Sequence, residues 1–345
     1  MNAEKTAALS KSIVMTEYGD ASVLHYVDVH TPVAGPGQVL VRLSAIGVNF
    51  VDIYRRQGLY PVPLPHTPGG EGAGVVVALG EGVGAASASA SASASNTVGG
   101  EVALGDRVAF AEASNAYAEC VVVDVEHLLP IPDGVDDTTA AAIPLQGMTA
   151  HYLATSVFAL AKGHTALIHA GAGGVGLLLT QLAKARGARV ITTVSTPEKA
   201  ELSRQAGSDH VIYYEEFDKT VRDLTNGVGV DVVYDGVGRD TFDQSLASLR
   251  VRGLLALFGM ASGPVPPFDL SRLAAGGSLS VIRPSMGNYL QTAEERRWRS
   301  SELFAAVVDG TLNVRVGATY PLADAAKAHE DLAARLTTGK VLLVP

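Results

Sequence analysis

The chain has 345 residues, enough for about two domains with separate cores. Its 26 Lys and Arg against 35 Asp and Glu give a net charge of -9, which argues against a nucleic-acid partner held through phosphates. Gly, Ser or charged residues interrupt every apolar run before the ~20 residues a membrane span needs. The first residues carry no apolar signal segment, so a cytosolic location is expected. Cys120 is the single cysteine; it excludes an intrachain disulfide and is expected to be a small buried hydrophobe within a strand.

In chain order, residues 12–80 alternate short apolar runs (12–15, 38–43 and 74–79) with turn residues, so this part should be mainly β. Between the last two runs, residues 45–71 combine polar residues, tyrosines and prolines, and read as a rigid, site-forming connection. Residues 85–95 alternate Ala and Ser, an insertion with no large side chain to pack, expected at the surface. Strand patterns resume at 105–110 and 121–129, and a helical pattern covers 138–160.

Residues 165–170 are mostly apolar and run into Gly171, Gly173 and Gly176, spaced G-x-G-x-x-G. A helical stretch follows at 177–186 and stops at Gly187. A strand entering this spacing and a helix leaving it point to a dinucleotide pyrophosphate bound on the helix N-terminus. The first glycine serves the turn, the second the close approach of phosphate, the third the packing of helix on sheet. Strand and helix patterns then alternate to 282, implying a doubly wound parallel sheet. The tail adds a helix near 292–308, a strand at 313–316, a helix at 323–335 and a strand at 341–344.

The end of the second strand selects the dinucleotide. An acidic residue there usually holds the ribose hydroxyls of NAD. Here Val194 leads into Ser195, Thr196, Pro197, Glu198 and Lys199, with no carboxylate at the strand end. Ser195 and Thr196 can donate to a 2'-phosphate and Lys199 can supply charge, so NADPH is expected over NADH. Either hydroxyl can also cap the helix that Pro197 begins.

The runs AIGVNFVD (45–52), PGGEGAG (68–74), AGGVG (172–176), YDGVG (234–238) and GKVLL (339–343) together resemble the medium-chain dehydrogenase/reductase superfamily. GLYP (58–61), VGRDT (237–241) and IRPS (282–285) narrow the resemblance to its zinc-free NADPH:quinone oxidoreductases, the zeta-crystallin group. It implies an α/β protein: a Rossmann doubly wound parallel sheet domain plus a GroES-like, mainly β catalytic domain, assembled as a homodimer. The expected division is 1–145 for the catalytic domain, 146–290 for the NADPH domain, and 291–345 for a segment that completes the first.

The resemblance also implies cofactor contacts at Tyr152, Gly174, Val175, Ser195, Lys199 and Tyr214, with further contacts from Phe258, Gly259, Met260, Arg283, Pro284 and Ser285; Gly171, Gly173, Gly176 and Thr196 are added by the spacing and strand-end readings above, and Asn49 by its place in the segment expected near the nicotinamide. The nicotinamide is expected near the segment from Asn49 to Tyr54. Zinc relatives need a cysteine and a histidine where this chain has Asn49 and Gly70, and the remaining carboxylate of Glu71 does not make a zinc site. His169 is expected to be packed in its strand, while His66 is a better pocket candidate. Without a metal the acceptor must be electrophilic, as a quinone is. Asn49, Tyr54 and Tyr60 are the candidates for orienting it or relaying a proton, with Asp52 as a local hydrogen-bonding partner. The rival readings are a reductase of activated C=C bonds and a non-catalytic NADPH-binding protein; RNA binding is disfavoured by the charge.

Overall fold

The sequence's alternation of short apolar runs and turns becomes three sheets, a two-stranded one and two large ones, seen in a computed structural model that describes residues 8–84 and 102–345. The Ala/Ser insertion lies outside the described residues. Strands β1 (Leu9–Val14) and β2 (His25–His30) form an antiparallel pair. They are followed by β3 (Gln38–Val48), β4 (Gly72–Leu79), β5 (Arg107–Phe110), β6 (Cys120–Asp124) and β7 (Leu128–Pro130).

The connection after β3 is not loop throughout, because it contains helix α1 (Phe50–Arg56). Asn49 is extended at the start of this helix, and the Asp52 carboxylate accepts its backbone N–H at 2.9 Å, which satisfies one orphan amide of the first turn. Helix α2 (Asp137–Ala142) starts on the side chain of Asp136, which accepts the Thr139 amide at 2.8 Å. Helix α3 (Pro144–Tyr152) follows.

A strict alternation then begins: β8 (Thr165–Ile168), α4 (Gly174–Ala185), β9 (Arg189–Val194), α5 (Pro197–Gln205), β10 (His210–Tyr213) and α6 (Phe217–Leu224). It continues with β11 (Val230–Asp235), α7 (Phe242–Ser248), β12 (Leu249–Leu257), α8 (Ser271–Ala275) and β13 (Ser280–Ile282). These strands are all parallel in the order β10-β9-β8-β11-β12-β13. Strand β8, first in sequence, lies at the centre, so the chain winds outward in one direction and then the other. Leu167, Ile191, Val233 and Leu255 share a core with Phe217 and Val221 of α6 and with Phe242 and Leu246 of α7. Fully burying a side chain of this size contributes roughly 1.5–3 kcal/mol.

Helix α9 (Ala293–Val308), strand β14 (Val316–Pro321), helix α10 (Ala325–Ala333) and strand β15 (Lys340–Val344) complete the chain. Strand β14 begins at the end of the strand expected at 313–316. Asn313 is taken up by a side chain instead: its backbone amide donates to Gln181 Oε1 at 2.8 Å and its carbonyl accepts from Gln181 Nε2 at 3.0 Å. The second large sheet runs β14-β15-β3-β4-β5-β7, with β6 also paired to β3. Val341 of β15 stands opposite Val48 of β3 in antiparallel register, so the last strand is an interior strand of this sheet.

The chain divides into two compact units. One comprises Met1–Leu145, Gln291–Phe304 and Val316–Pro345; the other comprises Gln146–Leu290 and Ala305–Arg315. Thus 305–315 groups with the parallel-sheet unit, whereas the expected tail ran unbroken from 291. Among the described residues no helix is long and apolar enough to cross a membrane. Cys120 is half-buried rather than buried, and partial burial beside Glu119 pushes its thiol pKa up, so it is not an activated thiolate.

Candidate functional site

In the parallel-sheet unit, strand β8 ends at Ile168 and the backbone turns sharply, with Ala170 at a φ of 51°. Gly173 is extended and stands at the N-cap of α4, so Gly174, Val175 and Gly176 form the first turn, where backbone N–H groups lack helical partners. A Cβ at Gly171 would lie 2.6 Å from Thr192 Cβ and 2.7 Å from Ser203 Oγ, while one at Gly176 would overlap the Ala170 carbonyl. At Gly173 it would stand 3.1 Å from Ala170 O, a milder conflict. Two glycines are thus required by packing, and the third borders the position suited to phosphate.

Next to this turn, β9 delivers Ser195 and Thr196. Thr196 caps α5, its Oγ1 accepting the Lys199 amide at 3.3 Å, and its hydroxyl helps hold the Glu198 carboxyl below its usual pKa after the backbone amide of Glu198 itself. Thr196 is therefore committed to starting the helix. Lys199 Nζ donates to Ser195 Oγ at 3.4 Å, so a cation and a hydroxyl share the end of the strand. The Ala170 amide donates to Tyr214 Oη at 3.0 Å, bringing that ring to the glycine turn.

His169 is packed beneath the turn. Its Nδ1 is 2.8 Å from Thr193 Oγ1 and its Nε2 is 2.9 Å from Ser245 Oγ, and burial holds its pKa down. Asp235, also fully buried, accepts from the Val237 and Gly238 amides at 2.8 and 2.9 Å and from the Thr241 and Ser245 hydroxyls at 2.7 and 2.8 Å. These bonds fix the turn after β11, and the Phe258 amide donates to Asp235 O at 2.9 Å, which sets the Phe258-Gly259-Met260 segment against it. A Cβ at Gly236 would meet the Phe258 ring at 2.9 Å, which accounts for glycine there. Arg283 donates to Leu257 O at 2.7 Å, and Pro284 and Ser285 lead into a short turn at Met286–Tyr289. Tyr152 is 2% exposed, with its ring stacked on Tyr289 at 4.6 Å.

In the other unit, α1 brings Tyr54 against Tyr60, with ring centroids 5.6 Å apart and edge to face. Tyr54 is buried and Tyr60 is 40% exposed. Asn49, at the base of α1, is 4% exposed. Its Nδ2 donates to Glu71 Oε2 at 2.8 Å and its Oδ1 accepts from Lys340 Nζ at 2.9 Å. Lys340 also forms an ion pair with Glu71 Oε2. Both oxygen donors that could face a cation, Asn49 Oδ1 and Glu71 Oε2, thus already hold an ammonium, an arrangement that does not fit a zinc ion.

A second buried network extends from Asp52. Its Oδ2 accepts from the Asn49 amide and, at 3.2 Å, from Tyr117 Oη, which is 2.9 Å from His329 Nε2; His329 Nδ1 is 3.3 Å from Arg56 Nη1. Arginine can only donate, so Nδ1 accepts, and Nε2 carries the imidazole hydrogen toward Tyr117. Burial pushes the Asp52 carboxyl up to about 6 and the His329 imidazole down to about 3. Asp52 Oδ1 is buried without a hydrogen-bond partner. The backbone of His66, the expected pocket histidine, exchanges hydrogen bonds with Met15 at 2.8 and 2.9 Å, and its ring Nε2 is buried without a hydrogen-bond partner.

Lys340, Tyr117, His329 and Arg56 were not singled out from the sequence. A lysine opening an apolar strand is an ordinary pattern, and only the pairing of β15 with β3 places it opposite Asn49.

A glycine turn on the N-terminus of a helix, joined in one chain to an antiparallel unit bearing a buried polar cluster, defines a dinucleotide-dependent oxidoreductase of two-unit construction. Residues 35–133 match the alcohol dehydrogenase GroES-like domain, and residues 174–302 match the family described as zinc-binding dehydrogenase. The chain is 44% identical to a quinone oxidoreductase of Pseudomonas aeruginosa, over 98% of this chain and 100% of that protein. It is 40% identical to a 2-haloacrylate reductase of a Burkholderia species, over 94% and 96% respectively. A mycobacterial structure in complex with NADPH superposes with a TM-score of 0.91 at 50% identity, covering 97% of this chain and 100% of that one. The chain belongs to the medium-chain dehydrogenase/reductase superfamily and, within it, to the quinone oxidoreductase family.

Proposed function

We propose that this protein is an NADPH-dependent quinone reductase that works without a metal ion. The observation that carries the reading is the end of β9, where Ser195 and Lys199 stand together beside the glycine turn and no carboxylate occupies the strand end. The full-length similarity to a quinone oxidoreductase and to an NADPH complex supports it.

The free amides of Gly174, Val175 and Gly176 hold the pyrophosphate, and the α4 dipole adds to that attraction. Ser195 and Lys199 bind the 2'-phosphate, with Tyr214 beside them, and Thr196 keeps α5 in place. The segments 258–260 and 283–285, with Tyr152, complete the cofactor contacts. NADPH supplies the hydride when bound. Asn49, Tyr54 and Tyr60 orient the acceptor, and Tyr60, the more exposed phenol, exchanges the proton that neutralises the reduced oxygen. The same proposal includes a cytoplasmic location and a homodimer, and sedimentation of the purified protein checks the dimer.

The 2-haloacrylate reductase relative supports a second reading, reduction of an activated C=C bond. A panel separates the two: NADPH and NADH are each mixed with 9,10-phenanthrenequinone, 1,4-benzoquinone, an unsaturated ketone and 2-chloroacrylate, and the loss of nicotinamide absorbance is followed. Quinone-dependent oxidation favouring NADPH is expected. Turnover of the alkenes alone would move the acceptor to the second reading, and cofactor binding without turnover of any acceptor would make this a binding protein.

A further inference from the structure

Three side chains from distant parts of the chain close a ring in the GroES-like unit. Asn49 follows β3, Glu71 precedes β4, and Lys340 opens β15. Lys340 donates to Asn49 Oδ1 and to Glu71 Oε2, and Asn49 Nδ2 donates to the same Glu71 oxygen. Glu71 Oε1 is held separately by the Leu145 amide at 2.7 Å, so the carboxylate cannot rotate away. Glu71 is 0% exposed and Lys340 1%. Strand β3 makes room for the pair with Gly47: a Cβ there would overlap Glu71 Oε2 and stand 2.7 Å from Lys340 Nζ.

Stability alone is a poor reason for this arrangement. A buried ion pair must offset the desolvation of both charges, and apolar residues of similar volume often serve a fold as well or better. What the ring provides is orientation. An ammonium only donates and a carboxylate only accepts, so the Asn49 amide has one possible setting: oxygen to Lys340, nitrogen to Glu71. The cation on its oxygen also polarises the amide, which strengthens its N–H groups as donors.

We propose that Lys340 and Glu71 are positioning residues for reduction of the acceptor: they lock and polarise the Asn49 amide, and turnover depends on that state of the amide. The inference rests on the reading above, in which Asn49 contacts the reacting groups. It assigns to a lysine and a glutamate, acting through an asparagine, the ordering that a metal ion and its ligands supply in zinc relatives.

The test compares wild type, Lys340→Met, Glu71→Gln and the double variant. Thermal stability, NADPH affinity by fluorescence, and kcat and KM for 1,4-benzoquinone are measured for each. Each single substitution strands a buried charge and should lower stability. The double variant removes both charges and should regain most of it. If the ring positions Asn49, kcat in the double variant stays about tenfold to a hundredfold below wild type, the range seen when outer-shell partners that orient metal ligands are lost. NADPH affinity should stay within about twofold of wild type, since the glycine turn and Lys199 are untouched. Recovery of kcat together with stability in the double variant would overturn the positioning role. A wild-type protein that reduces 2-chloroacrylate but no quinone would instead overturn the acceptor assignment, and the double variant would then be judged by kcat on that acceptor.

Discussion

The two units build their sites in opposite ways. In the proposed reading the parallel-sheet unit binds through backbone: six consecutive positions, Gly171 to Gly176, set the turn and the helix start, and the neighbouring strand β9 leads into Ser195 and, on α5, Lys199 about twenty residues later. The GroES-like unit relies on side chains far apart in sequence, since Lys340 reaches Asn49 across 291 positions and Tyr117 reaches His329 across 212. A backbone site is sensitive to the addition of any Cβ and tolerant elsewhere. A side-chain network is sensitive to the loss of one charge or one hydrogen.

The largest effect expected from this contrast is at the third glycine. Gly176→Val places two methyl groups on a Cβ that already overlaps the Ala170 carbonyl, so α4 must lift from the turn. Overpacking of this kind costs about 1–3 kcal/mol or more. Calorimetry should show a lowered melting temperature and fluorescence titration a loss of NADPH binding, and binding at wild-type strength would refute the role given to the turn. Lys199→Ala comes next. Loss of a charge-assisted bond worth roughly 1.5–3 kcal/mol should weaken NADPH by about tenfold to a hundredfold and leave NADH nearly unchanged. An unaltered ratio of the two affinities would remove Lys199 from cofactor selection.

The glycine turn and the end of β9 were legible in the sequence as local structure because the residues that define them are contiguous. Gly171, Gly173, Gly176 and Lys199 could be placed by spacing alone, and so could the alternation that yields the parallel sheet. Helix α1 was missed because its start depends on Asp52 folding back on the Asn49 amide within seven helical residues, too short for a periodic signal. The strand expected at 313–316 starts later because Gln181, 132 residues away, occupies the backbone of Asn313. The ring around Asn49 could not be read, since it requires the register of β15 on β3.

The buried network of the GroES-like unit makes a prediction in pH. His329 stays neutral in the folded chain down to about 3, whereas an unfolded histidine titrates near 6.5. The unfolded chain therefore takes up the proton first, and stability falls as the pH drops below 6.5. Asp52 runs the other way. Its folded carboxyl titrates near 6 against 3.8 when unfolded, so it holds its proton more tightly when folded and costs stability as pH rises from 3.8 to 6. Asp52→Asn should therefore raise stability by about 1–2 kcal/mol at pH 8 and steepen the acid loss below pH 6, measured by denaturant titration at several pH values. A variant with the wild-type pH profile would show that Asp52 does not titrate in this range.

The smallest effect is expected at Tyr54, whose ring packs on Tyr60 whether or not its hydroxyl works. Tyr54→Phe should lower kcat by a few-fold, on the order of one neutral hydrogen bond, with little change in stability. An unchanged kcat would leave the ring a packing role only.

The central claim is that an ammonium, a carboxylate and an amide stand where relatives hold a metal ion, and that the reaction proceeds without one. It is tested most directly by the rate of NADPH oxidation with 1,4-benzoquinone before and after exhaustive dialysis against a strong chelator. The same rate in both samples, unaltered when zinc is added back, is the predicted result. Loss of activity on chelation with recovery on zinc would contradict it.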